Sequence, residues 1–112
     1  MKHLEETVKI LNHIHENPES TQRELVEEFD YSLGKINYLM KALTEKGIVK
    51  LKRFKSSRKK AGYLYLLTPE GIKQKTEITR MFLKQKLQEY NKLQKEIQML
   101  TVKLNNADAN RD

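Results

Sequence analysis

Apolar positions along the chain change period twice. Between residues 3 and 16, Leu4, Val8, Leu11 and His15 recur at helical spacing, with Ile10 and Ile14 widening the stripe. Asn17-Pro18 ends this helix, because the residue before a proline is pushed away from the helical region. A second helix is predicted from Ser20. Thr21 and Glu24 stand at capping-box spacing, Leu25, Val26 and Phe29 face inward, and Glu24, Glu27, Glu28 and Asp30 face outward. Asp30-Tyr31-Ser32 reads as a turn, with Ser32 capping a third helix that ends at Gly47. On that helix Ile36, Leu39, Met40 and Leu43 share one face. Gly34, Lys35, Tyr38 and Lys41 share the other, with Asn37 at its edge.

The period then shortens. Ile48, Val49, Leu51 and Phe54 read as a strand and Gly62 to Leu67 as its partner, separated by the basic loop KSSRKKAG. After Leu67 the helical period returns. Thr68 caps, Pro69 suits the first helical position and Glu70 complements the helix dipole. Ile72, Ile78, Met81 and Phe82 can pack near the start. Further on, Leu83, Tyr90, Ile97 and Leu104 recur every seven residues. Leu93 and Leu100 fill the intermediate positions, and Lys86 breaks the pattern beside Leu87. No Pro or Gly interrupts the chain after Gly71, so a helix of about 54 Å is predicted over 69–104. Such a helix would expose a large apolar stripe unless it pairs, and self-association is the simplest answer; the alternative is a helix that folds back on its own domain or breaks into two.

Charge sharpens this picture. Residues 31–68 carry ten Lys or Arg and one acid, Glu45, whereas residues 1–30 are net negative. A charge concentrated on one part of the molecule suits a surface that meets a polyanion. Two helices joined by a tight turn, the second exposing Lys, Asn and Tyr, form a helix-turn-helix pattern. A basic hairpin tip directly after them reads as a wing. The fold class expected is mainly α with a small β-hairpin wing. A winged helix-turn-helix would occupy 1–68, a long C-terminal dimerisation helix 69–104 and a disordered tail 105–112.

Ser32, Gly34, Lys35, Asn37, Tyr38 and Lys41 are the candidate recognition residues, reading base edges or the flanking backbone. Arg53, Lys55, Ser56, Ser57, Arg58, Lys59 and Lys60 are the candidate wing contacts. Arg58 is placed foremost for a narrow minor groove. Leu83, Leu87, Tyr90, Leu93, Ile97, Leu100 and Leu104 are the candidate dimer interface.

Other chemistry finds little support. The chain has no Cys, which removes disulfides, thiolate zinc sites and a Cys nucleophile. His13 and His15, two residues apart on a helix, diverge by about 160° and cannot share a metal. KGIVKLKRFK lacks the glycines and the Lys-Ser/Thr ending of a phosphate loop. Neither an enzyme nor a cofactor is expected. No apolar run approaches the ~20 residues of a membrane helix, and the N-terminus lacks a signal-peptide apolar core, so a cytoplasmic protein is expected. The remaining alternative is a winged-helix protein-interaction module that docks through its C-terminal helix, although such a module needs no basic wing.

TQRELVEEFDYSLGKINYLMKALTEKGIVKLKRFK, followed by GYLYLLTPEGIKQKTEITRMFLKQKLQEY, resembles MarR-type winged-helix transcription regulators, closest to the small exopolysaccharide (EPS)-associated branch. The resemblance covers roughly residues 5–100. It implies a bacterial or archaeal homodimer on a palindromic promoter, tied to polysaccharide or cell-surface genes. By position, Ser32 to Lys41 would be the recognition segment and Lys55 to Lys60 the wing tip. Larger MarR proteins form a ligand pocket between extra terminal helices and the winged domain. This chain has too few helices to suggest a small-molecule effector.

Overall fold

A computed structural model describes residues 3–55 and 61–110. The elements run α1 (Leu4–Glu16), β1 (Ser20–Thr21), α2 (Gln22–Phe29), α3 (Leu33–Glu45), β2 (Val49–Lys55), β3 (Ala61–Leu67) and α4 (Pro69–Ala109). Two compact units divide the chain, Met1–Thr79 and Arg80–Asp112.

In the first unit, α1, α2 and α3 close around Leu4, Val8, Ile10, Leu11, Ile14, Leu25, Ile36, Leu39, Met40 and Leu43, all buried. The expected α1 stripe holds except at its end. His15 is exposed, and Thr7 joins the buried face. On α2, Leu25 is fully buried while Val26 and Phe29 are half-buried. Every buried side-chain nitrogen and oxygen among the described residues has a hydrogen-bond partner.

Local chemistry sets the helix ends. Thr21 caps α2 as a full capping box with Glu24. The Glu24 amide donates to Thr21 Oγ1 at 3.1 Å. Asp30 closes α2 in the left-handed region at φ 55°, which a short polar side chain tolerates better than most. Ser32 then caps α3, its Oγ accepting from the Lys35 amide at 3.1 Å. At the far end of α3, Gly47 takes φ 73°. The Ile48 amide reaches back to the Leu43 carbonyl and the Gly47 amide to the Thr44 carbonyl, a Schellman closure that turns the chain into β2.

The sheet has three strands rather than the two expected, in the order β1-β3-β2, all antiparallel. The extra strand is Ser20–Thr21, paired with Tyr65 and Leu64. Two residues are too few to show an alternating period, and these two also carry the start of α2. Ser20 is buried, and its hydroxyl donates to the Asn17 carbonyl at 2.6 Å.

The junction between β3 and α4 is tightly knotted. Thr68 Oγ1 donates to the Gly47 carbonyl at 2.6 Å and accepts from the Gly71 amide at 2.8 Å. The Thr68 amide donates to the Ile48 carbonyl. Gly71 is buried against that same carbonyl. Of the apolar residues expected to pack early in α4, Ile78 is buried, Phe82 is half-buried, and Ile72 and Met81 remain largely exposed.

In the second unit the helix continues through Asn105 to Ala109. The disordered tail expected over 105–112 is thus helical as far as Ala109. Nothing in Asn105–Ala109 removes a backbone donor or favours φ > 0 strongly enough to stop the helical ladder.

Candidate nucleic-acid interface

The exposed face of α3 is assembled by helical periodicity. Gly34, Asn37, Tyr38 and Lys41 lie at the spacing of one face, and all are exposed, as is Ser32 at the cap. Tyr38 is 59% exposed, unusual for an aromatic ring that could have been tucked inward. Its ring and the His3 ring meet in a T-shaped contact, centroids 5.7 Å apart. An added Cβ at Gly34 would meet nothing within 4 Å, so the space above this glycine is open to an incoming molecule.

Two of the candidate residues are already engaged. Asn37 Oδ1 accepts a hydrogen bond from Gln22 Nε2 at the start of α2. This leaves the Asn37 amide nitrogen as the group that points a donor outward. Lys35 lies to the side of the exposed face. Its Nζ is 3.6 Å from Glu6 Oε2 on α1 and 5.0 Å from the centre of the Tyr31 ring. Tyr31 in turn stacks on Phe29, and Phe29 meets His13 edge-on.

The ribbon supplies the other bank. Cross-strand partners share a face, so Val49 with Leu67, Leu51 with Tyr65, and Arg53 with Tyr63 lie together. Val49 and Tyr65 are buried, which marks this as the face toward the helices. Burial also pushes the Tyr65 phenol above its ordinary value, against a smaller opposing effect from a hydrogen bond with Gln22. Leu51 and Tyr65 line a cleft of about 410 Å³ with Asn37, Met40, Lys41, Thr44 and Glu45 of α3. Lys50 and Lys52 stand on the outer face, where Lys52 is 3.6 Å from Glu19. Arg53 is thus the described ribbon cation on the helix side. Lys55 pairs with Ala61 at the end of the ladder, and its side chain is outside the described residues. Ser56, Ser57, Arg58, Lys59 and Lys60 also lie outside the described residues.

A helix, a three-residue turn, a second helix with an exposed polar face, and a basic ribbon set against that face decide the architecture. The chain has the winged helix-turn-helix fold. Residues 7–50 match the sequence profile of the winged helix-turn-helix DNA-binding family. No curated protein matches the chain significantly. Solved structures do. A PadR-like transcriptional regulator from Bacillus cereus aligns over 84% of this chain and 98% of its own, at 20% identity and a TM-score of 0.70. A mutant MepR of S. aureus aligns over 100% of this chain and 80% of its own, at 17% identity and a TM-score of 0.57. A MarR family transcription regulator aligns over 89% and 72%, at 18% identity and a TM-score of 0.55. The winged helix therefore has the architecture shared by PadR-like and MarR-type regulators.

Sequence reasoning passed over three members of this surface. Tyr63, 57% exposed opposite Arg53, needed the strand register to be seen. Gln22 and Glu6 carry no local signal, because their partners Asn37 and Lys35 lie far along the chain. Among the described residues there is no cluster of His, Asp and Glu fit to hold a metal. No helix among them is long and apolar enough to cross a membrane.

Proposed function

We propose that this winged helix is a sequence-specific transcriptional regulator that binds double-stranded DNA as a homodimer. The α3 face enters the major groove, and the basic ribbon lies on the backbone or in the minor groove. One observation carries the reading: Asn37 and Lys41 of the exposed α3 face share a cleft with the ribbon's Leu51 and Tyr65, and Arg53 and Tyr63 come next along that same ribbon face. This arrangement sits inside the stretch that holds ten of the chain's 22 Lys and Arg. Lys41 and Arg53 contact phosphates and fix orientation. Asn37, Tyr38 and, on release from Glu6, Lys35 reach base edges or the flanking backbone, with Ser32 at the helix start against a phosphate. Arg58 and its neighbours Lys55, Ser56, Ser57, Lys59 and Lys60 act as the wing tip.

Dimerisation is assigned to the second unit. Leu83, Leu87, Tyr90, Leu93, Ile97, Leu100 and Leu104 are each at least half exposed, a stripe too long to leave in water. A two-fold pair of such helices would set two recognition helices about one DNA turn apart and favour a palindromic operator. The sequence resemblance adds exopolysaccharide or cell-surface genes as the targets, and with them a cytoplasmic site of action.

Fluorescence anisotropy at several salt concentrations tests the reading, comparing DNA upstream of the protein's own gene with random duplex. Tight, selective binding by a species that light scattering sizes as a dimer supports it. Equal, weak binding to both DNAs, lost at modest salt, overturns it. The apolar stripe would then serve a protein partner of an interaction module.

A further inference from the structure

Lys35 occupies the first turn of the recognition helix, where a cation would meet DNA phosphate, yet it does not stand on the exposed face. Its side chain is 38% exposed, against 18% for Glu6, and the two approach to 3.6 Å. The Tyr31 ring also lies against the ammonium, its centroid 5.0 Å away. Glu6 is itself held in place. His3 Nδ1 lies 2.8 Å from the same Oε2 that faces Lys35. The hydrogen bond with His3, joined by the charge of Lys35, outweighs burial and holds the Glu6 pKa below its ordinary value, so the carboxylate is ionised wherever the protein would meet DNA.

We infer that Glu6 is a specificity-setting competitor: its carboxylate occupies the place a DNA phosphate would take on Lys35 and keeps this lysine off non-specific DNA. The inference rests on the DNA-binding reading above. Its chemistry is a choice between two anions. A phosphate presented in an arbitrary register must displace a carboxylate that is already seated, whereas Lys41 and Arg53 form no ion pair with an acid among the described residues and are free to take any phosphate. Non-specific affinity is thereby set by fewer cations than the sequence contains. Because the Glu6–Lys35 pair is partly exposed, its effect on binding is modest, between about two- and five-fold.

The test measures the affinity of the full chain for a short random-sequence duplex across a salt series. It compares wild type with Glu6→Gln, Lys35→Gln and the double variant, with a thermal melt of each as a check on folding. Expected is a two- to five-fold tighter Glu6→Gln variant with a salt slope steeper by about one unit. In the Lys35→Gln background the same change has little effect. Lys35→Gln alone keeps the wild-type slope, because the lysine was not on phosphate. A Lys35→Gln slope shallower by about one unit overturns the inference, and this variant decides even if Glu6→Gln is unstable. So does an equal gain from Glu6→Gln in both backgrounds, which would be a long-range charge effect only. If wild type binds no duplex at all, both the competitor role and the DNA-binding reading fail. If wild type binds and only the variants disobey, the competitor role alone fails.

Discussion

At the scale of single residues, Gly34 of α3 and Gly71 of α4 behave in opposite ways. A Cβ on Gly34 meets open space, so Gly34→Ala should stabilise the free protein by about 0.5–1 kcal/mol through helix propensity. The same methyl would stand on the face proposed to meet DNA, so on that reading affinity should fall while the melting temperature rises. A melt and a binding titration on one sample check both signs. A Cβ on Gly71 would lie 1.9 Å from the Ile48 carbonyl oxygen and 3.1 Å from Thr68 Oγ1. Gly71→Ala should therefore cost about 3 kcal/mol and lower the melting temperature by roughly 10 °C or more. Glu6 gives a pH signature. Its folded-state pKa is depressed below the ordinary 4.5, chiefly by the hydrogen bond with His3. Its contribution is therefore present above that ordinary value and lost as pH falls through the lower folded value. Urea titrations of wild type and Glu6→Gln should converge as pH falls through that acid range.

At the scale of elements, hydroxyl caps divide the chain. Thr21, Ser32 and Thr68 each accept from a backbone amide at a helix start. Ser32→Ala should cost about 1 kcal/mol, and it should loosen the first turn of α3, where Gly34 and Lys35 lie. Amide exchange at Lys35 reports this directly, since its N–H loses the Ser32 acceptor. These caps were legible because a hydroxyl at a fixed offset from a turn is a local signal. The buried faces of α1 and α3 were legible for the same reason, as a period along one helix. Strand β1 was not, since two residues form a strand only because Tyr65 and Leu64, more than forty positions later, arrive beside them. Nor was the fate of Lys35. Its partner Glu6 sits on another helix, and no spacing in the sequence connects them. Tyr63 shows the same limit: alternation predicts two faces, but only register says that it stands opposite Arg53.

At the scale of the whole molecule, DNA affinity should depend on a part that touches no DNA. If the stripe of the second unit makes the dimer, Leu93→Asp with Ile97→Asp should give a monomer by light scattering. The secondary structure of the first unit should be retained in circular dichroism. Affinity for a palindromic site should fall by two orders of magnitude or more, because the second half-site is then no longer held at a high effective concentration. Affinity for a single half-site should hardly change, which separates a lost partner from a damaged domain.

The knot at Thr68 has a mechanical meaning. One hydroxyl grips the carbonyl of Gly47, just past the end of α3, and the Gly71 amide in the first turn of α4. The Thr68 amide holds the next carbonyl, that of Ile48. The two helix ends are thus riveted at a point where Gly71 leaves no clearance for slip. A torque applied to the first turn of α4 cannot dissipate in a slack linker, and it is delivered as strain to the C-terminal turn of the helix proposed to read DNA.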